Sequence, residues 1–298
     1  MPHDDVMRTK NKKQAMFDRG AEAWKRFSST SEHVYVCPLC ARRFASEQMA
    51  KLTMEHVPPR SIGGKDLVLT CEECNSTAGY AIDAAVARRQ EMREFGHAVF
   101  QRVGRYVGRA RITLGGIPLN AEVKADEDGV RIEVPTTTNN DPRMIEALFA
   151  MREEASQGRL PLQILPRIRL ALRPALLSDL KSAYLACFAE FGYTYALDPK
   201  LDIVREQLQN PGDTIIEGAW ALNPRGTPRE PLIVVLERPA PALAVRLDMT
   251  TVILPVDESP DDLFAITARA LASQGELQVE GGVVGWPRRM ELAMDFAE

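Results

Sequence analysis

Two C-x-x-C pairs constrain this sequence more than any other feature. The first pair is Cys37 and Cys40, and the second is Cys71 and Cys74. Each pair can turn two thiolates toward one point, and two pairs complete a tetrahedral four-cysteine zinc site. Thirty residues separate the pairs, so the zinc would close a loop of that length. Because four thiolates leave zinc no open position, the pattern predicts structural zinc, and any catalysis must come from residues that the zinc holds in place.

Residues suited to phosphodiester chemistry lie between and beside the pairs. Glu55 and His56 are adjacent, and Asn75 directly follows the last cysteine. Carboxylate and amide oxygens are the hard ligands that Mg²⁺ accepts, and a histidine can take a proton from water near neutral pH. Phosphodiester hydrolysis needs both a Lewis acid and an activated water. Since adjacent strand residues point to opposite faces, Glu55 and His56 can share a site only where the strand is irregular, and Pro58-Pro59 favours such a turn.

The order of these residues resembles the zinc-stabilised branch of the HNH, or ββα-metal, endonucleases. The run E-H-V-P-P-R-S-I-G-G-K-D-L-V-L-T-C-E-E-C-N is similar to that family's D-H-x-x-P … G-G … L-x-x-C-x-x-C-N segment, and the resemblance covers residues 34–80. It implies that His56 is the general base, and that Glu55 and Asn75 hold a catalytic Mg²⁺ or Mn²⁺. It also implies zinc on the four cysteines and DNA as the partner, with RNA left open.

The sequence departs from the family pattern at two places. Glu55 stands where aspartate is commoner, and Asp66 follows the Gly-Gly-Lys run where many relatives have a loop-bracing asparagine. Either Asp66 supplies the brace or the brace is missing. Arg60 and Lys65 flank the loop after His56, which makes them the candidates for holding the scissile phosphate as nucleic-acid-binding residues.

The charge is distributed unevenly along the chain. The net charge is -4, but residues 1–111 carry 19 Lys and Arg against 13 Asp and Glu, whereas residues 112–298 carry 18 against 28. The segment with the cysteine pairs is therefore basic and the rest is acidic. A basic segment favours attraction to phosphates, although an ordinary solvated surface explains the excess equally well.

Periodicity predicts an α+β protein. A small zinc-stapled ββα-metal (HNH) module with an N-terminal helix is expected at residues 1–110. A larger α+β region with antiparallel strands is expected at residues 111–298, with a role in docking, dimerisation or substrate selection that the sequence leaves open. The predicted elements of interest are a helix at 13–27, a long helix at 81–107, a three-stranded meander from residue 106, a strand at 167–172 and an apolar helix at 174–195. Before residue 13 the sequence leaves two alternatives, a loose basic arm and a frayed terminus.

The N-terminus and the cysteine usage indicate a compartment. The start of the chain has no apolar run, and no stretch approaches the ~20 apolar residues of a membrane span, so we expect no signal peptide, no membrane association and a cytoplasmic location. Four of the five cysteines lie in the pairs, which indicates metal rather than disulfides. The fifth, Cys187, lies in an apolar run and is expected to be a small core residue. A homodimer is left open.

Three hypotheses follow for function. The first is a metal-dependent HNH endonuclease acting on DNA, and the second is a four-cysteine zinc ribbon that binds nucleic acid or protein without cutting. The third is a degenerate nuclease fold kept for binding. A plain zinc ribbon needs none of Glu55, His56 and Asn75, so their presence together favours the first hypothesis.

Overall fold

The computed structural model contains helices and antiparallel sheets, which confirms the predicted α+β class. The structure describes five segments of the chain: residues 2–78, 82–135, 139–224, 230–274 and 279–293. Among these residues, no helix combines the length and apolar character needed to cross a membrane.

The chain divides into two compact units, one formed by residues 1–86 with 172–298 and the other by residues 87–171. This division differs from the predicted boundary between residues 110 and 111. The physical reason is that residues 177–292 contribute to the same hydrophobic core as the cysteine-rich segment, whereas residues 92–168 surround a core of their own.

The cysteine-rich part of the first unit consists of two short hairpins between helices. Its elements are α1 (Pro2–Ser28), β1 (Val34–Val36), β2 (Arg43–Ala45), β3 (Leu52–Val57), β4 (Lys65–Cys71) and α2 (Glu72–Ala78). β1 pairs with β2 and β3 with β4, so β3, β4 and α2 form the expected ββα order. The alternative of a loose arm before Lys13 is wrong, because α1 begins at Pro2 and no further Gly or Pro interrupts the chain before Gly20.

The second unit contains a four-stranded antiparallel sheet in the order β7-β6-β5-β8. The elements in chain order are α3 (Ala84–Gly96, which begins in the first unit), β5 (Tyr106–Leu114), β6 (Ile117–Ala125), β7 (Val130–Glu133), α4 (Pro142–Ala150), α5 (Arg152–Ser156) and β8 (Leu162–Pro166). The meander is confirmed as β5 to β7. The predicted helix does not reach Val107, because a π-helical turn follows α3 and Arg102 adopts a left-handed conformation with φ of 57°. Residue 81, where that helix was expected to begin, lies outside the described residues.

The rest of the first unit packs a long buried helix against a five-stranded antiparallel sheet. Its elements are α6 (Leu172–Ala196), α7 (Asp202–Gln209), β9 (Trp220–Leu222), β10 (Leu232–Arg238), β11 (Ala242–Arg246), β12 (Thr250–Leu254), α8 (Leu263–Gln274) and β13 (Glu280–Gly285). The predicted strand at 167–172 is wrong, because β8 ends at Pro166 and Leu172 already begins α6.

Helix α6 fastens the C-terminal part of the unit to the first cysteine pair. The Tyr184 hydroxyl donates to the Pro38 carbonyl at 2.7 Å, and the Tyr193 hydroxyl donates to the Val36 carbonyl at 2.9 Å. The Val36 amide in turn donates to the Tyr193 hydroxyl at 3.1 Å. These bonds are buried, where a lost partner is costly, so α6 fixes the loop that carries Cys37 and Cys40.

Candidate active site and metal centre

The four cysteines of the two pairs meet at one point. All four Sγ atoms lie within 4.8 Å of one another, and those of Cys40 and Cys71 are 3.7 Å apart. Tetrahedral zinc with bonds of about 2.3 Å places its sulfur ligands about 3.8 Å apart, so the donor set and its size fit zinc. Cys71 ends β4 and Cys74 lies in the first turn of α2, so the hairpin and the helix are tied together at this point.

Arg42 lies against the sulfur cluster. Its Nε donates to Cys40 Sγ at 3.3 Å and its Nη2 donates to Cys71 Sγ at 3.1 Å, while Nη1 lies 2.6 Å from a carboxylate oxygen of Glu73. A guanidinium in this position offsets the negative charge that four thiolates place on zinc. The sequence alone did not distinguish Arg42 from an ordinary surface arginine.

The β3–β4 hairpin is irregular between Glu55 and His56. Glu55 pairs with Val68 and His56 pairs with Asp66, which leaves Leu67 as an extra residue on β4. A bulge of this kind bends a strand and increases its twist. The irregularity expected between the two residues is therefore present.

The loop at the end of the hairpin requires its two glycines. Gly63 has φ of 89°, and a Cβ on Gly64 would lie 1.4 Å from the carbonyl oxygen of Pro58. Arg60 and Lys65, the predicted phosphate contacts, flank this loop and are exposed. Neither side chain forms an ion pair within the described part of the chain, so the guanidinium of Arg60 and the ammonium of Lys65 are available to an anion.

His56 contacts a carboxylate that is itself held by a lysine. Its Nε2 lies 3.1 Å from Asp66 Oδ1, and Lys12 of α1 donates to Asp66 Oδ2 at 3.0 Å. The His56 side chain is 31% exposed, and within the described residues its Nδ1 makes no hydrogen bond. Asp66, the residue at the position where the sequence left the brace open, therefore contacts both His56 and Lys12. Lys12 was missed, because no local pattern links it to a residue 54 positions later.

Glu55 is buried in a network of charged and hydroxyl groups. The residue is 4% exposed; its Oε1 accepts from Lys181 Nζ at 2.9 Å and its Oε2 accepts from Thr70 Oγ1 at 3.3 Å. Lys181 Nζ also donates to Asp83 Oδ2 at 2.7 Å, and Ser178 Oγ donates to Asp83 Oδ1 at 2.6 Å. Burial raises the pKa of Glu55, and Lys181 opposes that shift without cancelling it. Burial lowers the pKa of Lys181, but the two carboxylates outweigh it and raise that pKa overall.

Asn75 lies on the same face of the hairpin as Glu55. Its Nδ2 donates to Thr53 Oγ1 at 2.8 Å, and Thr53 pairs directly with Thr70, which contacts Glu55. Because directly opposed residues of an antiparallel pair share a face, the two threonines connect the two predicted ligands. Asn75 Oδ1 accepts no hydrogen bond within the described residues.

The predicted ligands suit a divalent cation in their chemistry. Both residues offer oxygen atoms as ligands. The two carboxylates of Glu55 and Asp83 and the single ammonium of Lys181 give the network a net charge of about -1. Asn75 Oδ1 is the freer of the two kinds of ligand oxygen, because both oxygens of Glu55 already accept hydrogen bonds. At Glu55 a cation would have to share the carboxylate with Lys181, so the sequence-based view of Glu55 as a simple ligand was incomplete.

A signal for Lys181 was present in the sequence. It lies with Asp179 in the apolar run of α6, and charged residues inside a buried helix are rarely without a partner. The sequence does not say which partner is chosen, because Glu55 and Asp83 come from distant elements.

Substituting Lys181 with methionine is expected to destabilise the protein by about 3–5 kcal/mol. The substitution keeps an unbranched side chain one atom shorter than lysine but leaves Glu55 and Asp83 without their shared cation. Urea unfolding measures the effect. The control is Lys25→Met, which removes a partly exposed ion pair of 3.7 Å with Glu22 and is expected to change the free energy of unfolding by less than about 1 kcal/mol. Equal unfolding midpoints for the two variants would contradict the assigned role of Lys181.

Comparison with known families agrees with this geometry. Residues 37–91 match the family model described as HNH endonuclease, a segment that contains the four cysteines, both hairpin strands around His56, and Asn75. This segment therefore resembles an HNH nuclease-type domain, and the resemblance seen in the sequence is confirmed by the match. No match is found among curated proteins or among solved structures.

Proposed function

We propose that this protein is a metal-dependent HNH endonuclease that hydrolyses phosphodiester bonds in DNA. The observation that carries the proposal is the chain from Lys12 through Asp66 to His56 at the exposed end of the hairpin. A carboxylate 3.1 Å from Nε2 favours the neutral tautomer that carries its proton there, and this tautomer leaves the Nδ1 lone pair free. A partly exposed histidine with a free lone pair is suited to activating water.

His56 acts as the general base in the proposed step. Water attacks phosphorus and gives its proton to Nδ1, the bond from phosphorus to the leaving oxygen breaks, and that oxygen takes a proton from solvent. The imidazolium that forms is stabilised by Asp66, whose second oxygen is held by Lys12. Arg60 and Lys65 neutralise the phosphate at the edge of the loop.

Two metal ions of different roles belong to the proposal. Zinc on the four cysteines fixes the hairpin against α2, and Asn75 with Glu55 would hold Mg²⁺ or Mn²⁺. When bound, that second ion supplies a Lewis acid for the charge on the phosphate and the leaving oxygen. Two hydrogen bonds orient the ligand side chains: Asn75 Nδ2 donates to Thr53, and Thr70 donates to Glu55.

Incubation of supercoiled plasmid with the zinc-loaded protein tests the function. Nicked or linear product that requires added Mg²⁺ or Mn²⁺ supports the nuclease. The burial of Glu55 beneath Lys181 is the observation that favours the alternative, a module that binds nucleic acid or protein without cutting. A gel shift of intact plasmid, with no product under either metal, would support that alternative and refute the proposed activity.

Asp66→Asn is expected to slow plasmid cleavage by about 10- to 100-fold, because an amide cannot offset the charge of the imidazolium and can turn its NH₂ toward Nε2. Asp66 does not touch the substrate, so its role is positioning. Asp66→Glu, which keeps the charge, should recover part of the rate, while thermal melting of both variants should stay near that of the wild type. Equal rates for the wild type and Asp66→Asn would exclude this role for Asp66.

A further inference from the structure

The sheet of the second unit has one packed face and one open face. Tyr106, Ala110 and Ile112 of β5 are buried in the core of the unit together with residues of α3 and α4. The alternate positions of the same strand, Val107, Arg109 and Arg111, are exposed. Because side chains alternate along a strand, these positions place their side chains on the solvent-exposed face of the sheet.

The open face is rich in cations. Its charged members follow from the strand register: the cations Arg109, Arg111, Lys124, Arg131 and Arg167, and the anions Glu122 and Glu133. Lys124 lies 3.2 Å from Glu122 and 2.6 Å from Glu133, so both anions contact the same ammonium. The face carries a net charge of +3. The Arg167 guanidinium donates to Asn120 Oδ1, which leaves, among the described residues of this face, the guanidinium groups of Arg109, Arg111 and Arg131 to act on a partner.

Arg109 and Arg111 form the centre of this surface. Both are exposed, and within the described residues neither guanidinium has a carboxylate at ion-pair distance. Two positions apart on one strand, they are separated by about 6.8 Å. Arg167 extends the row, because its amide donates to the Arg109 carbonyl at 3.0 Å on the neighbouring strand.

The residues around the arginines add little that would select a protein partner. Two large exposed apolar side chains share the face but are not neighbours: Val107, two positions before Arg109 on β5, is 50% exposed, and Leu165, paired with Arg111 on β8, is 68% exposed. The free guanidinium groups of Arg109 and Arg111 are complementary to a polyanion with closely and regularly spaced charges. Charge complementarity therefore selects a phosphate backbone as the occupant.

We infer that the open face of the β5–β8 sheet binds the phosphate backbone of duplex DNA. The choice of DNA rests on the proposed function; the surface itself is defined by the second unit alone. Contacts from Arg109 and Arg111 supply sequence-independent affinity at a surface other than the His56 centre. Such contacts release counterions, so their contribution is read directly in the salt dependence of binding.

The test compares two double variants of equal charge. Arg109→Gln/Arg111→Gln neutralises the open face, whereas Arg143→Gln/Arg152→Gln neutralises exposed positions on α4 and α5. Affinity for a short fluorescent DNA duplex is measured by anisotropy between about 50 and 200 mM salt, with Ca²⁺ in place of Mg²⁺. The sheet variant is expected to bind about tenfold more weakly, and the slope of log K against log salt should fall by about 2. The helix variant should keep the wild-type slope.

Plasmid cleavage by the same proteins separates this inference from the proposed function. A sheet variant with the slope of the wild type, or a wild type that does not bind the duplex, overturns the inference even where cleavage is normal. A reduced slope in the sheet variant supports the inference even where no protein cuts, in which case only the proposed activity fails. Matching circular dichroism spectra and melting temperatures establish that each variant is folded.

Discussion

Substitution of Cys71 with alanine is expected to abolish zinc binding and the cooperative unfolding of the first unit. Three thiolates do not complete the tetrahedral set, and zinc supplies about 10–16 kcal/mol in small structural sites, an amount comparable to the whole stability of a domain. The loss is expected to spread, because Cys37 and Cys71 belong to the same core as α6. Zinc content by mass spectrometry and melting followed by circular dichroism measure both effects.

Cys187→Ala is the matched control for that substitution. It removes the same atoms from another buried cysteine of the same core, which lies on α6 and belongs to no metal cluster of the described residues. Burial raises the pKa of the Cys187 thiol, so it stays neutral and acts as a small apolar group. We expect full zinc content and a loss of about 1 kcal/mol. If Cys71→Ala held zinc and melted like Cys187→Ala, the cysteine cluster would not be a structural metal site.

The parts of the site that the sequence predicts are those with short, fixed spacing. Each C-x-x-C pair places two thiolates by local geometry, and the Gly-Gly run after His56 is needed because a Cβ at Gly64 would collide with Pro58. The irregular step between Glu55 and His56 was required by strand alternation and is present as a bulge. Local constraints of this kind are readable without knowing the fold.

The parts that the sequence does not predict depend on distant elements. Lys12 reaches Asp66 from α1, and Lys181 reaches Glu55 across 126 positions. No spacing rule connects such residues, since their contact is created by the packing of α1 and α6 on the hairpin. The division into units escaped prediction for the same reason, because the chain leaves the first unit at residue 86 and returns to it at residue 172.

His56→Ala is expected to reduce the rate of plasmid cleavage by about 10²- to 10⁴-fold, the usual contribution of a general base. The methyl group cannot accept a proton, while the zinc cluster and the Glu55 network do not depend on the imidazole. Zinc content and DNA affinity should therefore remain near those of the wild type. His33→Ala is the matched control, because it removes a histidine of the same unit whose Nε2 lies 3.3 Å from Asp18.

The initial rate of supercoiled plasmid cleavage, measured for wild type, His56→Ala and His33→Ala at equal zinc content, tests the central claim most directly. The account predicts Mg²⁺- or Mn²⁺-dependent cleavage by the wild type and by His33→Ala, and almost none by His56→Ala. Cleavage by His56→Ala at the wild-type rate would show that His56 is not the base and that the product comes from another site or a contaminant.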